Sequence, residues 1–343
     1  MEKFKISISE FDLNNHLTVL KNIYPFLKEV NSQSLQQVKN LNSAYNKFFK
    51  GGAGFPKKKS KKNPVQSFQI PQHYRIEGKK KWIPKVGWTK IKLHRDMIQG
   101  NMKTATISRT PTGKYYISII VENDLEYPEK QEFTHATMIG VDVGNITFAT
   151  LSTGEKIDHP KFLKSSLQRL KCLQKRVSRK VIGSNNRRKV VKRLAKVHEL
   201  ISNQRNDFQH KVSKKLISEN QAIAVETLNI KGMMSNHRRA QSTGDSAWYS
   251  FVLKLTYKAE LFGKTIFKIN QWLPSSKICN ICGYKHPNLT ESIREWQCPD
   301  CKTIHDRNVN AAINIKKFVF SPPERRVEPV DSLAQVRGMK QEA

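Results

Sequence analysis

The chain of 343 residues carries 61 lysines and arginines against 28 aspartates and glutamates, a net charge of +33. That length is ample for a buried core in two or three domains, and so large a positive excess repels itself in a compact state unless a polyanion neutralises it. With no apolar run of about 18 residues, no signal-peptide pattern and no lipidation motif, a membrane partner is excluded and a cytoplasmic, nucleoid-associated protein is expected, bound to nucleic acid through counterion release at the phosphates.

In chain order, residues 1–52 read as helical: Leu35, Val38, Leu41, Tyr45 and Phe48 fall at helix spacing within "SQSLQQVKNLNSAYNKFF", and Gly51 and Gly52 end the run. The segment "PKKKSKK" is a basic arm whose Lys57, Lys58, Lys59, Lys61 and Lys62 suit phosphate contacts. Residues 53–125 read as β-rich, with "SFQI", "IKLHRD", "TATISRT" and "KYYISIIVEN" as short strands of a small barrel or sheet. In this region Lys79–Lys81, Lys85, Lys90, Lys92 and Arg95 are interleaved with Trp82, Trp88 and His94, as either a solvated face or a nucleic-acid contact face.

An acidic linker, "ENDLEYPEKQE", divides the halves near residue 125. "MIGVDVGNITFATLSTGEKI" then reads as a β-hairpin, followed by two basic helices over 161–182 and 186–217. In the second, Val190, Leu194, Val197 and Ile201 form an apolar stripe suited to a helix-hairpin seam. Arg187, Arg188, Lys189, Lys192, Arg193 and Lys196 occupy the opposite face as phosphate ligands. Cys172, among helix-periodic apolar positions, reads as a packed thiol. A buried-type strand "AIAVE", a helix over 246–262, the strand "KTIFKI" and a last helix "NVNAAINIKKFV" follow, and residues 321–343 read as a flexible tail. Strands alternating with helices in this order predict an α/β core.

The remaining four cysteines form two C-x-x-C pairs, Cys279 with Cys282 and Cys298 with Cys301, fifteen residues apart. Four thiolates from two tight turns close a tetrahedral site around Zn²⁺ and leave no open position, so the expected zinc is structural. His286 and His305 read as surface histidines beside it. Asp142 and Glu226 each end an apolar strand, which makes them a candidate Mg²⁺ site for two-metal phosphodiester chemistry. Such a site needs a third carboxylate from the last helix, where the sequence reads His305-Asp306-Arg307-Asn308-Val309-Asn310-Ala311-Ala312.

The blocks "GVDVGNITFATLSTGEKI", "SNQRNDFQHK" (with Arg205, a further candidate nucleic-acid contact), "VETLNIKGM", "LTYKAELFGKTIFKI", "SSKICNICG", "REWQCPDC" and "DRNVNAAINI" resemble, in order, those of the TnpB (OrfB) family of transposon-encoded RNA-guided proteins, relatives of the compact type V CRISPR effectors. The resemblance runs from about residue 23 to 331 and implies a RuvC (RNase H-like) domain over 136–275 with a helical insertion at 161–217, completed by a final helix at 306–320. It implies a zinc ribbon over 276–305, preceded by a truncated recognition-like region over 1–52 and a wedge-like region over 53–125. Its partners would be a guide RNA and target double-stranded DNA. The family pattern makes Asp142 and Glu226 the first two catalytic carboxylates and puts the third at position 308, where this chain has asparagine. A neutral amide there weakens Mg²⁺ binding; Asp306 is a helix cap or, shifted by about half a turn, a substitute. The pattern looks like the nuclease-dead members that act as RNA-guided repressors. An active endonuclease associated with transposition and a guide-free basic zinc protein are the alternatives.

Overall fold

A computed structural model describes residues 9–321 except 59, 61, 62, 64, 228, 229, 236, 271 and 291. The chain divides into two units, Met1–Leu125 and Glu126–Ala343.

In the first unit, helix α1 (Glu10–Ile23) opens on a capping box in which Ser9 Oγ accepts from the Asp12 N–H and the Asp12 carboxylate accepts from the Ser9 N–H. The single helix expected next is broken. A short α2 (Ser32–Leu35) leads through a 3₁₀ turn (Gln36–Val38) into α3 (Lys39–Phe49). Polar side chains explain the break, because they bond outside the helix: Ser34 Oγ donates to the Gln69 carbonyl, and Gln33 Oε1 accepts from the Gln72 N–H.

Six strands follow: β1 (Gln66–Ile70), β2 (Arg75–Glu77), β3 (Lys80–Ile83), β4 (Gly87–Lys90), β5 (Asn101–Arg109) and β6 (Tyr115–Glu122). Rather than one barrel sheet they form two antiparallel three-stranded sheets, β1-β5-β6 and β2-β3-β4. Ile70, Tyr74, Ile83 and Ala105 are the buried core of this unit. "IKLHRD" is not a strand; after the Ile91 N–H donates to the Lys79 carbonyl, the chain leaves the sheet. Only Ile91 and Leu93 alternate there, and Leu93 stays exposed, so no apolar face holds the segment down.

The second unit is built from β7 (Met138–Val143), β8 (Thr147–Leu151), β9 (Lys156–Asp158), α4 (Phe162–Ser178), α5 (Asn185–Glu219), β10 (Ala222–Glu226), α6 (Ile230–Ser235), α7 (His237–Ser246), α8 (Trp248–Leu261), β11 (Thr265–Ile269), β12 (Glu295–Gln297), β13 (Ile304–Asp306) and α9 (Arg307–Phe318). A five-stranded sheet runs in the order β11-β10-β7-β8-β9. β11, β10 and β7 are parallel, and β8 and β9 turn back antiparallel. Strand alternation sorts the two faces. Ile139, Val141, Val143, Ile223 and Val225 pack with Leu216, Phe251 and Leu255 of α5 and α8. Met138, Ala222 and Ala224 face the other way, toward Ile315 and Val319 in and just past α9. Helices thus cover both faces.

Gly140 fixes how closely α9 lies on β7. A Cβ at that position would run into the carbonyl oxygen of Ala312 and the backbone of Lys316. Only glycine admits so close an approach.

α4 and α5 form the expected hairpin, with Leu170, Leu173, Val197 and Ile201 buried in its seam and Val190 and Leu194 packed against them. Cys172 is not packed: it lies beside Leu173 but off the seam, and its thiol is exposed. Among the described residues, no helix is long and apolar enough to cross a membrane.

Candidate metal centres

The four cysteines of the C-x-x-C pairs converge, with all four Sγ atoms within 4.8 Å of one another. Cys279 and Cys301 are 3.6 Å apart, and Cys282 and Cys298 3.5 Å. Tetrahedral Zn–S bonds of about 2.3 Å put ligand sulfurs roughly 3.8 Å apart, so the set fits such an ion. Each pair sits on the same turn. The Gly283 N–H donates to the Cys279 carbonyl and the Lys302 N–H to the Cys298 carbonyl, and both donors have left-handed φ, +80° and +62°. Leu289 and Trp296 pack around the cluster.

His305 corrects the surface reading. It is buried against the Trp296 ring, with Nε2 3.1 Å from Cys279 Sγ. The pairing of β12 with β13, which sets Trp296 opposite His305, turns it inward. His286 is half-buried, edge-on to Trp296. Two asparagines that motif reading passed over tie this loop to α9. Asn310 Oδ1 accepts from the Asn280 N–H, and its Nδ2 donates to the Ile278 carbonyl. Asn314 Nδ2 donates to the carbonyls of Ser275 and Ile278. Their signal was two amides one helical turn apart on the stripe that also buries Ala311 and Ile315.

Asp142 and Glu226 stand level on adjacent parallel strands, one residue beyond the Val141–Val225 pairing. By alternation both point to the α9 face, beyond Gly140 and Ala224. Parallel sheets bind ligands at these carboxyl ends. Burial first, and then the charge of Glu226, push the Asp142 carboxyl up to about 8, with Arg307 and Arg294 opposing. Burial pushes Glu226 up to about 7, again against Arg307. Two half-buried acids that resist ionisation suit a cation.

α9 runs along β7 on the face to which Asp142 and Glu226 point. Met138 packs near Ile315 and Val319, and Gly140 meets Ala312 and Lys316. Two strand residues, about 6.7 Å, match roughly one helical turn. A further step of three along α9 leads from Ala312 and Lys316 to Val309, next to Asn308 in sequence, and Ile313. Asp306 is differently engaged. Its Oδ1 caps α9 by accepting the N–H groups of Asn308 and Val309, and its Oδ2 accepts from Lys156 Nζ at 2.7 Å. Burial acts to raise its pKa, but the bonds from Lys156 and the helix amides outweigh it and hold the carboxyl below its ordinary value. Among the described residues, the groups of three or more acidic, histidine or cysteine ligands close enough to share an ion comprise the four cysteines and no set with Asp142, Glu226 and Asp306.

Of the candidate phosphate ligands, Arg188, Lys189, Lys192, Arg193 and Lys196 are exposed along α5, and Arg187 is half-buried. Arg205 turns inward, its guanidinium 2.9 Å from the buried carboxylate of Asp245. Nearby, Gln209 Nε2 donates to the carbonyls of Ser246 and Ala247, so this block latches α5 to the elbow between α7 and α8. Lys57 and Lys58 are exposed; Lys59, Lys61 and Lys62 lie outside the described residues.

Residues 118–237 match the family model OrfB_IS605, described as "Probable transposase". Residues 248–315 match "Cas12f1-like, TNB domain". A protein of Streptomyces pristinaespiralis described as "Putative RNA-guided DNA endonuclease" is 35% identical over 294 residues, 84% of this chain and 72% of that protein. The chain belongs to the TnpB (OrfB) family. "Putative RNA-guided DNA endonuclease InsQ" of Escherichia coli (strain K12) is 30% identical, across 84% of this chain and 75% of its own length. Among solved structures, Cas12f1 in its complex with sgRNA and target DNA shares the mixed α/β fold, with a TM-score of 0.52 at 13% identity over 87% of this chain and 71% of that one. Asp142 and Glu226 fall in the first matched segment, the four cysteines and Asn308 in the second.

Proposed function

We propose that this TnpB-family protein is an RNA-guided DNA-binding protein whose nuclease centre is impaired, acting by occupying target DNA and repressing transcription. The observation that carries this reading is Asn308. Where the family pattern has a carboxylate, the first turn of α9 carries the uncharged amide of Asn308, while both oxygens of Asp306 are committed to the helix cap and to Lys156. In this reading residues 136–275 and 306–320 are the RuvC-like domain, 161–217 its helical insertion, 276–305 the zinc ribbon, 53–125 wedge-like and 1–52 recognition-like.

Cys279, Cys282, Cys298 and Cys301 hold zinc as a structural ion, and Asp142 and Glu226 are the residues left to hold Mg²⁺. Mg²⁺ held there by Asp142 and Glu226 would supply activation of water and charge stabilisation at the leaving oxygen. The protein's own contribution is to bind and orient. The α5 cations hold phosphates, the guide RNA supplies sequence by base pairing, and the protein reads backbone shape and a short flanking motif.

One observation favours a second reading, RNA-guided Mg²⁺-dependent cleavage with transposition: the Asp306 charge acts on Asp142, so that carboxylate is close to the pair. Expression with the RNA encoded beside the gene, followed by target-plasmid binding and cleavage in Mg²⁺, separates the two. Retarded but intact plasmid, with occupancy unchanged by Asp142→Ala, is expected. Efficient double-strand breaks would overturn the impaired-site reading.

A further inference from the structure

α9 is held on two sides by different means. Its later turns rest on the sheet, where Gly140 meets Ala312 and Lys316, and Met138 packs near Ile315 and Val319. Later residues of the helix thus meet earlier residues of β7, so the start of α9 lies toward the end of the strand that carries Asp142. The charges of Arg307 and Asp306 act on Asp142, and that of Arg307 on Glu226, as this direction requires.

On another side α9 presents Asn310 and Asn314, one turn apart and both buried. Asn310 grips the backbone on both sides of one cysteine. Its Nδ2 donates at 2.7 Å to the Ile278 carbonyl, in the peptide group before Cys279, and its Oδ1 accepts at 2.9 Å from the Asn280 N–H, in the peptide group after it. Asn314 Nδ2 donates to the same Ile278 carbonyl at 2.6 Å and to that of Ser275 at 2.8 Å. Lys317 Nζ donates to the Asn280 carbonyl. From β13, just ahead of the helix, His305 sets Nε2 3.1 Å from Cys279 Sγ. Cys279 is therefore tied to α9 through its backbone and to the residue before the α9 cap through its sulfur. The junction is buried and polar, so each bond broken leaves a desolvated donor or acceptor. The turn at Cys279 depends in its own right on a cation, because without one the four sulfurs within 4.8 Å of one another have no common partner.

We propose that the metal on the cysteines controls the carboxylate centre: through Asn310 and Asn314 it sets the first turns of α9, so that its loss weakens divalent-ion binding at Asp142 and Glu226. This coupling rests on the two metal sites proposed above. When the cysteine cluster empties, the later turns of α9 stay on Gly140 and in the core with Ile315. The earlier turns, with Arg307 and Asn308, lose the loop that holds them from the side. Coupling between two binding sites is reciprocal, so an ion on the carboxylates tightens the hold of the cysteines on zinc by the same factor. Asn310 and Asn314 touch neither ion and act as positioning residues.

The test uses the full chain, loaded with zinc or stripped by a chelator that is then removed, and calorimetric titration with Mn²⁺. Stripping should weaken Mn²⁺ binding by about 5- to 150-fold, in the parent and in Asn308→Asp. Asn310→Ala should weaken Mn²⁺ binding with zinc still bound and shrink the effect of stripping to within about twofold. A residue that only fastened the loop would lower the Tm and leave Mn²⁺ affinity as it was. Asn314→Ala, which keeps the bond from Asn280, should move both readings the same way by less. Hydrogen exchange should speed up about 10-fold or more at the first two turns of α9 in the stripped protein and change little from Ile315 onward. Saturating Mn²⁺ should lower the Kd for zinc by the factor found in the first titration. Mn²⁺ affinity within about twofold with and without zinc, in a protein whose Mn²⁺ binding is abolished by Asp142→Ala, overturns the coupling and leaves the carboxylate site standing. If Asp142→Ala leaves Mn²⁺ binding intact, the carboxylate site falls, and exchange alone decides whether the cysteine metal sets α9: faster exchange at its first turns without zinc supports that, and unchanged exchange overturns it.

Discussion

The cysteine cluster and the carboxylate pair lie in the same unit and contact the same helix, yet they are assembled in opposite ways. The cysteines come from two local turns with matching hydrogen bonds, and their sulfurs already lie at ion-binding separations. The carboxylates come from strands more than eighty residues apart in sequence and owe their meeting to one register, Val141 against Val225. The helix that faces them is held close to β7 by Gly140. A ligand set made locally survives as a unit. A set made by tertiary packing is lost by a single substitution at one contributor, while the fold around it persists.

The largest expected effect tests the local set. Chelation of the metal, or Cys298→Ser, should unfold the loop from Ile278 to His305 together with its asparagine ties to α9. Structural zinc contributes roughly 10–16 kcal/mol of apparent binding free energy. Metal content and limited proteolysis at that loop check it; an intact loop after complete metal loss would show that Leu289, Trp296 and His305 suffice as a core.

On the carboxylate side the comparison predicts a strong pH dependence. Asp142 and Glu226 are pushed up to about 8 and about 7, above their ordinary values of 3.8 and 4.5. Folded-state pKa values that are raised give stability that is fully present below the ordinary values and lost as pH rises through the folded ones. The cation-free protein should therefore lose stability between about pH 4 and pH 8. A divalent ion must displace these protons, so its apparent affinity should climb by up to about 10³-fold from pH 6 to pH 8. Melting curves with and without Mg²⁺ or Mn²⁺ at several pH values measure it, and an ion effect independent of pH would place the ion elsewhere.

In the impaired-site reading, Asn308→Asp supplies the missing third carboxylate. If tertiary packing has left the site otherwise whole, this one change should strengthen divalent-ion binding and raise Mg²⁺-dependent cleavage of guided target by about 10²-fold or more, because a correctly held ion contributes several kcal/mol to transition-state charge stabilisation. Calorimetry of Mn²⁺ binding reads the first effect and plasmid nicking the second. Gly140→Ala attacks the same site through its scaffold. The methyl group has backbone atoms on α9 to meet and no side chain that can yield, so a loss of about 1–3 kcal/mol in denaturant unfolding is expected, together with weaker ion binding.

How much of this was legible follows the same division. The cysteine cluster could be read from the sequence because C-x-x-C spacing is itself the turn. The α/β order and the α4–α5 seam could be read because their periodicities are local. His305 could not, since its burial depends on β12 pairing with β13. Arg205 could not either, since Asp245 reaches it from forty residues away. The break after α2 was hidden because the sequence of that segment is helix-compatible, and its polar side chains find partners only once β1 is in place. Asp142 and Glu226 were legible as carboxylates at strand ends, but not the register that makes them neighbours.

The smallest effect concerns Asp306, where the two modes of assembly meet. As a helix cap its removal in Asp306→Ala should cost about 1 kcal/mol, and its ion pair with Lys156, with side chains 30% and 46% exposed, adds little. Asparagine is as good an N-cap as aspartate, so Asp306→Asn should melt close to the parent at pH 7. Its carboxyl lies below its ordinary value in the fold, so whatever stability its charge provides is present above about pH 4 and lost as pH falls further. These are the properties of a local structural residue, and they carry no dependence on magnesium. The decisive measurement is the Mg²⁺-induced shift in Tm at pH 8 for Asp306→Asn beside the parent. Equal shifts leave the ion on Asp142 and Glu226 with Asn308 as the defective third member. Loss of the shift in Asp306→Asn would mean that Asp306 leaves its cap to bind the ion, and the site would then have the three carboxylates that cleavage requires.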